Sequence, residues 1–395
     1  MNCRRIISIV LTIIFASALH AEESDNNITL RGSYWNSALT FQTTGKGRVA
    51  FMGGSITEME GYRPMVCRYL QKTFPKTQFE FIAAGISSTC SDTGAFRLES
   101  DVLSKGEIDL FFLEFAVNDN QDGRFSQEHS LRSFEGIVRH IRTVCPKVDI
   151  VITFFANESM IEQYRRGEIP DSIAAHTKVA RQYDISTINL AREVQRRIDA
   201  GTLTWRQYGG VHPAEAGNRI CAEMIESLLN AAWDKPGEQI VPHALPKALD
   251  AYSYSRGAFL DFNKVERGAF QFGAPDWKSI PGALRSRFNG EKLLYSVRPG
   301  DSCSFEFSGS VVGLYVLAGP DAGAVDYSID GGEYKTVQLY HDYSAGLHYP
   351  RTVILADQLS PGVRQAVLRV SKEKDSRSSG TAVRILKICV QNMQN

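Results

Sequence analysis

Between Val49 and Ile188 short apolar runs alternate with segments of helical periodicity, and this rhythm constrains the fold more than any other feature of the chain. The runs around Val49, Phe81, Leu110, Ile150 and Ile188 read as strands, and residues 61–74, 94–105, 128–144, 171–183 and 214–232 read as helices. Such alternation predicts a doubly wound parallel sheet with helices on both faces, a flavodoxin-like three-layer α/β domain. Residues 156–171 interrupt it with a polar loop placed to border a crevice. Near Ala232-Trp-Asp-Lys-Pro-Gly237 the rhythm changes. Beyond it come short alternating segments, Ser304–Phe307, Val311–Val316, Val325–Ile329 and Ala366–Val370, separated by turn signals such as Asp330-Gly-Gly332 and Pro361-Gly362. That pattern predicts an antiparallel, jelly-roll-like β-sandwich. The division expected is an α/β domain over 22–235 and a sandwich over 241–395 with its own separate core, so that truncation near Gly237 leaves a foldable first domain.

In a doubly wound sheet, ligands bind in the crevice beyond the carboxyl ends of the strands. Three residues fall there. Ser55 follows the run Arg48-Val-Ala-Phe-Met-Gly-Gly-Ser-Ile-Thr57, Gly85 ends Phe79-Glu-Phe-Ile-Ala-Ala-Gly85, and Asn118 ends Ile108-Asp-Leu-Phe-Phe-Leu-Glu-Phe-Ala-Val-Asn118. Far downstream, Tyr208-Gly-Gly-Val-His-Pro213 sets His212 in a glycine-flanked loop before a helix. A serine hydroxyl becomes a nucleophile when a base takes its proton, and histidine titrates near neutrality. The oxyanion that follows needs donors, which the N–H groups of Ser55 and Gly85 and the Asn118 side-chain amide supply. The missing side chain of Gly85 is expected to leave room for the substrate carbonyl. A lone Asn after a strand is ordinarily a turn residue and a lone His before Pro a loop residue, so the assignment rests on the ordered set.

That set resembles the SGNH (GDSL-type) hydrolase family, whose blocks are named for Ser, Gly, Asn and His. Gly53-Gly-Ser-Ile-Thr57 looks like the nucleophile block, Ala84-Gly-Ile86 the glycine block, Phe115-Ala-Val-Asn-Asp119 the asparagine block and Val211-His-Pro213 the histidine block, over roughly residues 45–232. The wording is most like bacterial carbohydrate O-acetylesterases, which implies a serine esterase with Ser55 and His212 as catalytic residues and Ser55, Gly85 and Asn118 as the oxyanion hole. The family usually carries an aspartate three residues before the histidine; here that position is Gly209. A Ser-His dyad oriented by a backbone carbonyl, an acid from another segment, or an impaired site are all compatible with this departure. Glu58 and Asp119 lie near the blocks and are given no catalytic role. Arg97 and Trp205 are candidates for substrate binding, against an ion pair for the first and packing under the histidine loop for the second.

The remaining features set the context. Met1–Ala21 has two arginines, an apolar stretch from Ile6 to Ala16 and small residues up to Ala21, the pattern of an export signal, which implies a secreted or periplasmic protein with no membrane anchor in its mature form. Six cysteines follow it, without a disulfide-framework spacing. The chain has 44 basic and 44 acidic residues, a balance that argues against nucleic acid as a partner. No metal-ligand spacing occurs among the histidines, so no metal or cofactor is expected. The reading is a secreted serine esterase that removes a small acyl group, acetyl by family resemblance, from an oligo- or polysaccharide. The alternatives are a lipase- or thioesterase-like acylhydrolase on aliphatic esters, or a non-catalytic carbohydrate-binding protein with a decayed site.

Overall fold

The apolar runs of the first half form a six-stranded sheet in the order β1-β6-β5-β4-β2-β3. The strands are β1 (Ile28–Thr29), β2 (Lys46–Gly53), β3 (Gln78–Gly85), β4 (Leu110–Leu113), β5 (Asp149–Thr153) and β6 (Ser186–Ile188). All pair in parallel except the short β1, which runs antiparallel to β6. The computed structural model describes residues 27–234, 237–360 and 362–391. The export signal expected over Met1–Ala21 lies outside the described residues. Between the strands run α1 (Trp35–Thr44), α2 (Ser55–Glu58), α3 (Tyr62–Thr73), α4 (Ser91–Asp101), α5 (Ala116–Gln121), α6 (Gln127–Val144), α7 (Glu158–Arg165), α8 (Asp171–Gln182), α9 (Leu190–Asp199), α10 (Trp205–Tyr208) and α11 (Glu215–Trp233). Helices α1, α3 and α11 pack together as one layer, and α4, α6 and α8 as the other. On α6, Phe134, Ile137, Val138 and Ile141 are buried at helical spacing, the stripe that faces a core.

The segment expected as a polar loop at 156–171 instead holds α7. Asn157 caps it, its side chain accepting from the N–H of Met160 (2.9 Å), and Met160 and Ile161 are buried, so a cap and two apolar anchors outweigh the surrounding polar residues.

The second half is a β-sandwich. Its strands are β7 (Gly257–Leu260), β8 (Val265–Glu266), β9 (Gln271–Gly273), β10 (Leu293–Ser296), β11 (Ser302–Ser308), β12 (Val312–Ala318), β13 (Ala324–Ile329), β14 (Lys335–Gln338), β15 (Tyr349–Ala356), β16 (Val363–Val370) and β17 (Val383–Gln391). One sheet has the order β15-β12-β17-β10-β9, with β7 also paired to β17; the other has the order β14-β13-β16-β11-β8. Phe305, Phe307, Leu314, Val316, Leu368 and Ile385 belong to the core between them.

The sandwich has its own core, and its outer face also packs against the α/β domain. Strand β12 is buried on both faces: Val312, Leu314 and Val316 face the inter-sheet core, whereas Tyr315 and Leu317 join the core of the α/β domain. On β17 a register irregularity at Tyr315/Val316 accompanies the same division, with Leu386 and Cys389 turned to the α/β domain. Helix α4 receives this face. Phe96 stacks on Tyr254 with ring centroids 5.2 Å apart, and Gly257 approaches so closely that a side chain there would meet the Ala95 carbonyl at 2.6 Å. The six described cysteines are unpaired; Cys67 is half-buried and the others are buried, where they pack as small hydrophobes.

Candidate active site

Strand β2 ends at Gly53 and α2 starts at Ser55, so the serine stands on a turn between a buried strand and a helix. Glu114, just past β4, supports this turn from beneath: its Oε1 accepts from the N–H of Gly54 (2.9 Å) and from Thr57 Oγ1 (2.7 Å). Complete burial pushes its carboxyl up to about 7 despite those bonds. Ser55 Oγ and His212 Nε2 are 2.8 Å apart. The histidine loop is held by its backbone. Thr204 and Gln207 form a capping box at the start of α10, the N–H of Gly209 donates to Trp205 O (3.1 Å), that of Ala214 to Tyr208 O (2.8 Å), and Asn218 Nδ2 to Pro213 O (2.7 Å). Gly209 has φ +111° and a Cβ there would lie 2.0 Å from the N of Ala214. An aspartate at that position is therefore excluded by the loop itself. Among the described residues His212 Nδ1 has no hydrogen-bond partner, yet the ring is turned toward Ser55. Burial, and then the positive charge of Arg285, hold the His212 imidazole below its ordinary range, so it is neutral and able to accept a proton at pH 7.

Ser55, Asn118 and His212 line one crevice of about 460 Å³. Gly85 ends β3 level with Gly53, but it does not line that crevice. A side chain on it would strike the N of Glu58 at 2.2 Å, so Gly85 is small to let α2 sit on β3, not to clear the substrate carbonyl. Arg97 is 1% exposed and away from the crevice; its guanidinium donates to Ala84 O (2.7 Å), Gly53 O (3.0 Å) and Asp101 (2.9 Å), tying together the ends of β2 and β3. Trp205 is half-buried, stacks on Tyr208 at 5.3 Å and does not line the crevice either. Asp119 accepts from Ser91 N–H (2.8 Å), Ser91 Oγ (2.7 Å) and Ser130 Oγ (3.0 Å) and contacts His176 Nε2 (3.0 Å), a buried anchor for its own loop. Glu58 is spent on Ser87 and Arg287; although burial opposes it, these bonds hold the carboxyl below its usual range.

Residues 51–220 match the GDSL-like lipase/acylhydrolase family. The N-terminal domain belongs to this family. It is thus a carboxylic ester hydrolase domain of the SGNH type. A two-domain esterase active on acetylated mannans, solved with mannopentaose, has the same fold at a TM-score of 0.73 and 21% identity, over 94% of this chain and 98% of its own. A second structure of a two-domain esterase active on acetylated mannans gives 0.74 and 21%, over 93% and 98%. The likeness in fold spans both domains of the chain. No curated protein matches the sequence.

The sandwich closes the crevice of the SGNH domain. Arg285, Tyr343, Gly346, Leu347 and Tyr349 line it together with Ser55, Asn118 and His212. Arg285 Nη2 donates to Ser88 Oγ (2.7 Å) and Tyr349 Oη to Ser88 O (3.3 Å), while His341 Nε2 reaches the Asp122 carbonyl at 3.0 Å. Ser88 has φ +71°, a left-handed conformation uncommon for serine, at the point where both sandwich side chains grip it. None of these residues stood out in the sequence. Ser87 and Ser88 directly follow the glycine block and Asp122 lies one helical turn beyond Asn118, so reading past each block finds them. Arg285, Tyr343 and Tyr349 reach the site only through domain packing, which leaves no local pattern.

Proposed function

We propose that this protein is an exported serine esterase that removes a small acyl group, acetyl first among them, from a hydroxyl of an oligo- or polysaccharide. The observation that carries this reading is the 2.8 Å contact between Ser55 Oγ and His212 Nε2 at a crevice walled by both domains. Ser55 Oγ attacks the ester carbonyl as His212 takes its proton. The tetrahedral oxyanion is held by the Asn118 amide and the N–H of Ser55. Collapse expels the sugar hydroxyl, protonated by His212, and leaves an acyl-serine. Water, deprotonated by the same imidazole, releases the carboxylic acid and restores Ser55. Export is supported by the Met1–Ala21 pattern; among the described residues no helix is long and apolar enough to cross a membrane. A carbohydrate substrate is supported by the family wording of the sequence blocks and by the two-domain fold shared with esterases active on acetylated mannans.

A second reading, a carbohydrate-binding protein with an inactive hydrolase domain, is favoured by Gly209 and by the lack of a partner for His212 Nδ1 among the described residues. Chromogenic esters of two to twelve carbons separate the readings. Acetate should be preferred, with discrimination of about 1–3 kcal/mol per methylene as the chain outgrows the crevice. Ser55→Ala and His212→Ala should each lose roughly four to six orders of magnitude in kcat while remaining folded. Preference for eight-carbon or longer esters identifies a lipase. No hydrolysis of any ester, alongside retained binding of acetylated glycan, establishes the second reading.

A further inference from the structure

The amide of Asn118 is wedged between two groups. Its Oδ1 lies over Gly54, where a Cβ would approach to 2.1 Å, and its Nδ2 donates to Asp122 Oδ2 at 2.6 Å. An Asn amide has two N–H donors, and among the described residues no acceptor takes the second. Because Asn118 lines the crevice, that remaining donor is the one available to a developing oxyanion. Amide orientation is set only by its hydrogen-bond partners, and a carboxylate can only accept. A reversed amide would set Oδ1 against the Asp122 carboxylate and present an acceptor to the oxyanion. Asp122 is itself fixed from across the domain boundary by the contact of His341 Nε2 with its carbonyl (3.0 Å). The His341 Nδ1 accepts from the Tyr343 N–H at 3.3 Å, so its proton is on Nε2 and the ring donates to Asp122.

We propose that Asp122 is a positioning residue of the oxyanion hole, which holds the Asn118 amide with a donor facing the crevice and which the sandwich domain holds in turn through His341. This rests on Asn118 serving as an oxyanion donor, as in the function proposed above. The groups facing the Asp122 carboxyl are Asn118, Gln121 and Asp119 from its own helix, Cys90 from the start of α4, and Arg285 and Tyr349 from the sandwich. Burial, against the bonds from Asn118 and Gln121, pushes it up to about 6, so the orienting carboxylate is formed at neutral pH and lost below it.

The test is a double-mutant cycle on the full chain with a soluble acetate ester. Asp122→Asn can offer an amide N–H where the carboxylate only accepted; it should lower kcat about 10- to 100-fold with KM nearly unchanged, less than the roughly 100- to 1000-fold lost when an oxyanion donor is removed outright. Asp122→Ser, smaller and neutral, should do the same, which guards against one variant misfolding. In an Asn118→Ala background neither substitution should cost anything further, since the group being positioned is gone. The acid limb of kcat should also become less steep in Asp122→Asn, because one of two titrations has been removed. A rise in KM alone, or losses that add to those of Asn118→Ala, overturns the positioning role. If Asn118→Ala leaves kcat intact while Ser55→Ala abolishes it, the oxyanion assignment of Asn118 falls and the role of Asp122 with it, whereas the serine mechanism stands.

Discussion

The two walls of the crevice are built by different physics. On the α/β side the reactive groups are fixed by backbone: Ser55 and Asn118 follow strands β2 and β4, whose parallel register sets Met52 level with Leu113, and the His212 loop is held by main-chain bonds. On the sandwich side Arg285 precedes a 3-10 turn, Tyr343 lies in another and Tyr349 starts β15, and the contacts across the boundary are side-chain ones, of Arg285 and Tyr349 with Ser88 and of His341 with Asp122. A wall fixed by sheet register can hold atoms for chemistry whatever lies opposite. One fixed by docking controls access and charge, and is only as firm as the interface beneath it.

Removing the second wall is therefore the most disruptive change expected. Ala95, Phe96 and Leu98 of α4 are wholly buried, partly against Tyr254, Gly257 and the outer face of β12 and β17. Deleting residues 237–395 exposes that face. Each large apolar side chain returned to water costs about 1.5–3 kcal/mol, and a domain's net stability is about 5–15 kcal/mol, so a handful of such exposures consumes it. The truncated chain should be insoluble or should lose its cooperative thermal transition, with ester hydrolysis lost alongside. A soluble truncate with a sharp transition and unchanged hydrolysis of small esters would mean that the walls are independent.

The contrast also explains what the sequence discloses. The strands around Val49 and Leu110 are continuous apolar runs because both faces of a parallel sheet are covered, and Ser55 and Asn118 follow them closely, while His212 is legible from its glycine-flanked loop before a helix. The sandwich strands are equally legible as alternating segments. Tyr315 and Leu317 nevertheless read like solvent-facing partners of Leu314 and Val316, and nothing local says that they face a second domain. Arg97 looked available to substrate because a basic residue in a polar helix stretch carries no sign that its guanidinium will be consumed by the Gly53 and Ala84 carbonyls. Gly85 is legible by its position but not by its purpose, since close approach of α2 is a tertiary fact.

Gly209→Asp tests whether the backbone-built wall tolerates the family's usual acid. At φ +111° a side chain is strained, and its Cβ would lie 2.0 Å from the N of Ala214, so the loop must move to admit it. Left-handed strain alone costs of order 1–3 kcal/mol. The variant should melt lower than the native chain and should hydrolyse acetate esters more slowly, because His212 moves with the loop. Faster hydrolysis would show instead that the loop adapts and that the missing orienter limits the native protein.

The smallest effect concerns charge passed from one wall to the other. Burial is the larger cause of the depressed His212 titration, and Arg285 adds to it. Arg285→Gln keeps a donor for Ser88 Oγ and removes the charge. In the proposed mechanism the imidazole acts when neutral, so its contribution is present above its folded value and lost as pH falls through it. With the cation gone that value rises. The carboxyl of Asp122, which the same cation lowers, rises as well. Both shifts act in one direction: the acid limb of kcat/KM for a small acetate ester should move to higher pH by a fraction of a unit, with the plateau at neutral pH little changed. An acid limb that stays where it was would mean that solvent in the crevice screens Arg285 from His212, leaving the sandwich to shape the substrate's path without touching the base.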